Sequence, residues 1–143
     1  MKRMPTLKSV MTPFPYSVDS DASVDEALKF MREHKIRHLP VTKDGELTGI
    51  VSDRDIKLML GPEFAYPKAS ELKVGDTMIV DAYTVDIATR LDGVLRHMAE
   101  QRLGSVLVTR KGKLVGVFTH TDACAVFADW LTSQFPASGD EVA

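Results

Sequence analysis

Arg37-His38-Leu39-Pro40-Val41-Thr42-Lys43-Asp44-Gly45-Glu46-Leu47-Thr48-Gly49-Ile50-Val51-Ser52-Asp53-Arg54-Asp55 has a counterpart 67 residues later. It is Gly104-Ser105-Val106-Leu107-Val108-Thr109-Arg110-Lys111-Gly112-Lys113-Leu114-Val115-Gly116-Val117-Phe118-Thr119-His120-Thr121-Asp122. Each stretch sets two short apolar runs around a tight turn, Asp44-Gly45 in the first and Lys111-Gly112 in the second, which is the pattern of a β-hairpin. The expected strands are His38–Thr42 with Leu47–Val51, and Ser105–Thr109 with Leu114–Phe118. Each stretch then runs through the same pattern, G-h-h-[ST]-x-x-D, into a helix expected to start at Ser52 or Thr119.

The match extends without a gap over Tyr16–Ile56 and Tyr83–Ala123, with 13 identities in 41 pairs. Ordinary composition would give roughly two or three. The same shift sets Met11 on Met78. Each copy opens on a short extended segment (Tyr16-Ser17-Val18; Tyr83-Thr84-Val85) and continues into an amphipathic helix. Ser23-x-x-Glu26 is a capping box before Val24, Ala27, Leu28 and Met31. The second copy repeats the apolar stripe as Leu91, Val94, Leu95 and Met98. The order is β-α-β-β-α, twice, and two copies indicate a duplicated folding unit rather than a solenoid. The fold class is therefore α+β: two pseudo-symmetric βαββα units packed sheet to sheet, with helices outside. Residues 7–60 form the first unit, 61–73 a Pro- and Gly-containing linker, and 74–135 the second unit with an extended last helix. Pro40 cannot donate to a ladder, so its amide side should face an edge or a ligand.

Composition narrows the function. The chain has 143 residues, 44% hydrophobic and 27% charged, with a formal net charge of −2. That suits an ordinary globular core, and the scattered basic residues argue against nucleic acid. No apolar run reaches bilayer length and no secretory h-region follows Met1-Lys2-Arg3, so a cytoplasmic protein is expected. Cys124 is expected to be a small packing residue rather than a redox centre. His34 and His97 have no metal-spaced partners, and no nucleophile or nucleotide-hydrolysis motif is present, so no catalysis or catalytic cofactor is expected.

The G-h-h-[ST]-x-x-D turns carry the chemistry. Ser-x-x-Asp at a helix start can simply be a cap. The same geometry also suits a nucleotide: free amides and a dipole end for phosphate, a hydroxyl from Ser52 or Thr119, and an Asp55 or Asp122 carboxylate with two acceptor oxygens for a ribose diol. Gly49 and Gly116 permit close approach of a ligand or another backbone.

These features together resemble a pair of cystathionine β-synthase (CBS) domains, a Bateman module, over roughly residues 7 to 127. The resemblance implies two clefts that bind adenosine-containing ligands: AMP, ADP, ATP, S-adenosylmethionine or NAD-like molecules. It implies that Asp55 and Asp122 hold ribose, that Ser52 and Thr119 lie near phosphate, and that backbone at Ser17-Val18 and Thr84-Val85 meets the adenine. Arg37 and His38 become Gly104 and Ser105 in the second copy. In related modules a basic pair there meets phosphates, and it could serve either the Asp55 or the Asp122 cleft. Arg54, Lys57 and His120 flank the same turns, and Pro40 and Ser105 complete the candidate set. The expected function is a regulatory sensor that signals to a separate effector protein. The alternative is a dimerisation scaffold that binds no ligand. The stripe of Phe127, Trp130 and Leu131 reads as core or as a homodimer contact.

Overall fold

The computed structural model describes residues 3–13, 16–60, 71–78 and 82–137. The expected linker therefore lies outside the described residues except for its last three positions, and so does most of the tail after Pro136. The chain begins with a one-turn helix, α1 (Leu7–Val10), and a two-residue strand, β1 (Thr12–Pro13). The first unit follows as β2 (Val18–Asp19), α2 (Val24–His34), β3 (His38–Lys43), β4 (Glu46–Ser52) and α3 (Asp53–Leu60). The second is β5 (Thr84–Asp86), α4 (Leu91–Gln101), β6 (Ser105–Arg110), β7 (Lys113–Thr119) and α5 (His120–Gln134).

Local chemistry explains these boundaries. Ser23 caps α2 by accepting the Glu26 amide at 3.2 Å. Only that half of the expected capping box forms. Both hairpins turn on two residues with positive φ, Asp44 and Gly45 at 52° and 81°, Lys111 and Gly112 at 51° and 78°. That is the backbone of the primed turns, whose twist matches antiparallel strands. Each hairpin also carries a bulge at the same place, after Val41 and after Val108. Helices α2 and α4 both stop on a left-handed residue that is not glycine, Lys35 (φ 55°) and Arg102 (φ 56°).

In the first unit β2 pairs parallel with β3, and β3 pairs antiparallel with β4. In the second unit β5, β6 and β7 repeat this arrangement. The copies differ at one telling position. Leu107 donates its amide to the Tyr83 carbonyl at 2.9 Å, and β5 accordingly starts at Thr84. Its counterpart is Pro40, which has no N–H, and pairing of β2 begins one residue later at Val18. The amide side of Pro40 thus faces the opening segment of its own unit, and its side chain is buried.

Two cores form, one in each unit, and each takes in residues from the segment that precedes the other unit. The core of Val24, Ala27, Met31, Leu39, Val41, Val51, Ile56 and Leu60 includes Val74 and touches Met78. The core of Val85, Leu91, Val94, Met98, Val106, Val108 and Phe118 includes Leu7 and touches Val10 and Met11. Strand β1 adds itself to β7, with Thr12 opposite Val117 and Pro13 opposite Gly116. The chain returning at 72–75 clasps the first unit: Leu72 accepts the Val24 amide, and Val74 and Gly75 donate to Ala22 and Ser20. The leading arms are therefore exchanged between the units. A third cluster, Ile50, Leu107 and Val117 with Leu47 and Leu114, joins the two sheets. The apolar area it removes from water, at about 25 cal/mol per Å², holds the seam closed.

The last helix departs from expectation. None of the fifteen residues of α5 is buried. Phe127, Trp130 and Phe135 are 60%, 52% and 68% exposed, so this stripe is not part of either core within one chain. The first-unit counterpart of Phe127 is Leu60, which is buried in the core. Cys124 is exposed rather than packed.

Candidate functional site

Each G-h-h-[ST]-x-x-D segment runs out of the second hairpin strand, β4 or β7, directly into the helix that follows, α3 or α5. The register sets His38 opposite Ser52 and Ser105 opposite Thr119. The first amide of each helix is already used: Asp53 donates to the Arg37 carbonyl at 3.0 Å and His120 to the Gly104 carbonyl at 3.2 Å. The hydroxyl of Ser52 accepts the Asp55 amide at 3.0 Å.

The two aspartates differ. Asp122 Oδ2 accepts from the Thr119 amide at 2.9 Å and from Thr119 Oγ1 at 3.3 Å, the reciprocal half of a capping box. Its Oδ1 receives Thr12 Oγ1 from the exchanged arm at 3.4 Å. The Asp55 carboxylate is half-buried and accepts no hydrogen bond among the described residues. Its oxygens remain available to a ligand.

The glycines also divide. A Cβ on Gly116 would collide with the Met11 side chain, with Cγ and Cε both 3.0 Å away. The open space at Gly116 is thus taken by the arm's thioether. Gly104 stands where the first copy has Arg37. A Cβ there would lie 3.2 Å from His38 Nε2 and 3.3 Å from His120 Cε1. Two imidazoles, one from each unit, therefore converge on one glycine at the seam. Burial holds the His38 imidazole below its ordinary value; Asp53 and Asp55 oppose this, and His120 and Arg37 reinforce it.

The structure thus gathers His38, Gly104 and His120, with Asp53, Asp55 and Arg37 acting on His38. Ser52 and Thr119 sit half-buried at the strand ends, while Arg37, Arg54 and His120 are exposed. Ser17 and Thr84 are exposed on the opening segments, Val18 packs against the first core and Val85 is buried in the second. The side chains of Val18 and Val85 are therefore core, which leaves their backbone for any base contact. Gly49 is buried opposite Val41, and Ser105 is half-buried beside Gly104. Sequence reading did not foresee that Gly104, named only as a loss of Arg, is the residue that lets the two histidines meet. A separate hollow of about 280 Å³, lined by Ser20, Lys43, Thr48, Lys73 and Met78 among others, lies at the hairpin end of the first unit, away from these residues. Among the described residues no cluster of three His, Cys, Asp or Glu could hold a metal ion. No helix there is long and apolar enough to cross a membrane.

Known proteins share this fold. The chain superposes on the CBS domain pair of protein MJ0100, solved with 5′-methylthioadenosine and S-adenosyl-L-methionine, with a TM-score of 0.79 and 25% identity, covering 90% of this chain and 99% of that one. It superposes on CBSX2, solved with AMP, with a TM-score of 0.74 and 31% identity, covering 87% and 97%. A CBS domain-containing protein of Dictyostelium discoideum is 28% identical over 125 residues, 81% of this chain and 86% of that protein. The match spans 52 residues, 35% of the uncharacterized protein YlbB of Bacillus subtilis, at 50% identity. Another spans 24% of an inosine-5′-monophosphate dehydrogenase of Thermoplasma acidophilum. The CBS domain family matches residues 7–61 and again 74–129, regulatory rather than catalytic domains. The chain belongs to the CBS domain family, as a pair of CBS domains in tandem.

Proposed function

We propose that this CBS pair senses an adenosine-containing ligand, such as AMP, ADP, ATP or S-adenosylmethionine, bound at the seam between its units. The observation that carries the reading is the half-buried Asp55 carboxylate, unpaired among the described residues, beside the meeting point of His38, Gly104 and His120. A carboxylate with free acceptor oxygens suits a ribose diol, and the basic group beside it suits a phosphate. Crystallised neighbours hold AMP, and methylthioadenosine with S-adenosylmethionine, in CBS pairs of this architecture. The cleft at Asp55 is the better ribose site, because Asp122 already serves as a cap and an anchor for the arm.

The signal passes to a separate effector protein in the cytoplasm through a second copy of the chain. Phe127, Trp130, Leu131 and Phe135 give α5 an apolar face without cover inside one chain, and isologous pairing covers such a face on both copies at once. A second reading, a dimerisation scaffold that binds no ligand, is favoured by the capping role of Asp122. Isothermal titration with AMP, ATP, S-adenosylmethionine and adenosine separates the two. Saturable binding of one of them supports the sensor, and no heat or thermal shift with any of them supports the scaffold.

A further inference from the structure

We propose that His38 and His120 form a proton-gated anion clamp across the seam, which takes up a proton when a tetrahedral dianion binds between the two units. The idea deepens the preceding reading and rests on it for one point, that the phosphate end of the ligand lies at this seam.

Gly104 is the point on which both rings converge. Any side chain there would press on His38 Nε2 and His120 Cε1 at 3.2 and 3.3 Å, and His120 Nδ1 is only 3.6 Å away. The two rings thus share one patch of backbone although they come from different units. His38 is half-buried and His120 exposed, so the pair is open on the solvent side. The surrounding charges are mixed. Asp53 and Asp55 reach His38 from α3, Arg37 precedes it on the chain, and His120 faces it from α5. Asp53 is itself partly neutralised by Lys57 at 3.6 Å.

Without an anion, burial first and then the neighbouring His120 and Arg37 disfavour the charged form of His38, and two imidazolium ions side by side would repel. A neutral imidazole offers one N–H, whereas an imidazolium offers two and makes the stronger, charge-assisted bond. A dianion between the rings reverses the balance. It turns the repulsion between two cations into two attractions, and the imidazolium so formed, which Asp53 and Asp55 also favour, offsets the repulsion of those carboxylates toward the anion. Binding and proton uptake are therefore linked, and each strengthens the other. A CBS pair so built reads acidity together with its ligand.

Sulfate is the suitable probe, because its charge is constant between pH 5 and 8 and any proton taken up belongs to the protein. Histidine imidazole resonances of the intact chain are followed by NMR from pH 5 to 8, with and without sulfate. Sulfate is expected to raise the His38 midpoint by about one unit, and its own affinity should rise by about tenfold in total as the pH falls through that window. His38→Gln keeps a donor but cannot be protonated, so the pH slope should flatten. The exposed His120→Gln should lift the His38 midpoint in the apo protein and reduce its response to sulfate. Midpoints that ignore sulfate, or an unchanged slope in both variants, overturn the clamp. AMP and adenosine keep the two proposals apart. Sulfate-responsive midpoints with no binding of AMP, ATP, S-adenosylmethionine or adenosine support the clamp and remove the nucleotide reading. Bound AMP with sulfate-insensitive midpoints does the reverse.

Discussion

Replacing Asp122 and Asp55 by alanine, one at a time, separates a helix cap from a ligand site. Asp122 accepts the Thr119 amide and hydroxyl on one oxygen and Thr12 Oγ1 on the other. The 2.9 Å amide bond is a cap, and removing it costs about 1 kcal/mol; the two hydroxyl bonds, one exposed and one part-buried, are longer at 3.4 and 3.3 Å and add little. For a chain of this size that lowers Tm by about 3–5 °C. Asp55 accepts no bond among the described residues, so Asp55→Ala should change stability by less than about 0.5 kcal/mol. Ligand binding should rank the other way. Hydrogen bonds to a charged acceptor contribute about 1.5–3 kcal/mol, so Asp55→Ala should weaken AMP by about 10- to 100-fold or slightly more. Asp122→Ala should weaken it less, because a ribose at Asp122 must compete with Thr119. A 2′-deoxy ligand should bind wild type more weakly and the Asp55 variant almost equally. Titration calorimetry with thermal melts of the same samples checks every part. If Asp55→Ala binds AMP like wild type and melts several degrees earlier, both turns are caps and the ribose assignment is wrong.

The other predictions concern assembly, pH and backbone strain. Trp130→Glu places a charge in the exposed stripe of α5 and should convert a dimer into a 15.8 kDa monomer by light scattering; a wild type that is already monomeric refutes the interface. Because the folded His38 titrates below 6.5, the unfolded chain binds more protons beneath that value, and apo stability should be full above about pH 6.5 and decline as pH falls through it. Denaturant melts of His38→Gln should lose that part of the decline, and identical pH profiles would contradict it. Lys35 and Arg102 hold left-handed backbone without being glycine, so Arg102→Gly should stabilise by about 1 kcal/mol in a chemical melt, and a loss of stability would show that the side chain has a role of its own.

Much of the fold is legible in the sequence because the repeat is written in local terms. Asp44-Gly45 and Lys111-Gly112 specify primed turns, and the apolar spacing of Val24, Ala27 and Met31 specifies a buried helix face. Both strand pairs lie within a residue of their expected limits, and the helices after them begin one residue later than expected, at Asp53 and His120. What was hidden is non-local. The alignment of Met11 with Met78 is visible in the chain, yet nothing in it says that each packs on the opposite unit. The candidate residues around the turns are likewise found by pattern, but the approach of His38 to His120 depends on how two separate units meet. The meaning of Gly104 lies in that approach alone. The stripe of Phe127, Trp130 and Leu131 has the spacing of core residues, and spacing cannot tell whether a neighbour within the same chain covers it.

The exchanged arms have a consequence for how this molecule comes to be folded. Pairing Thr12 with Val117 closes a loop of more than a hundred residues, whose entropy cost grows only with the logarithm of its length but is met before the contact forms. Neither half can complete its interior alone: one lacks Leu7 and β1, the other Val74. The halves must therefore fold as a single cooperative unit, with a high contact order and a correspondingly slow rate. A nascent chain gains its native N-terminus only after the last strand has left the ribosome. Until then the arm and the edge of β7 that it covers both stay unpaired, and each is open to pairing with another molecule.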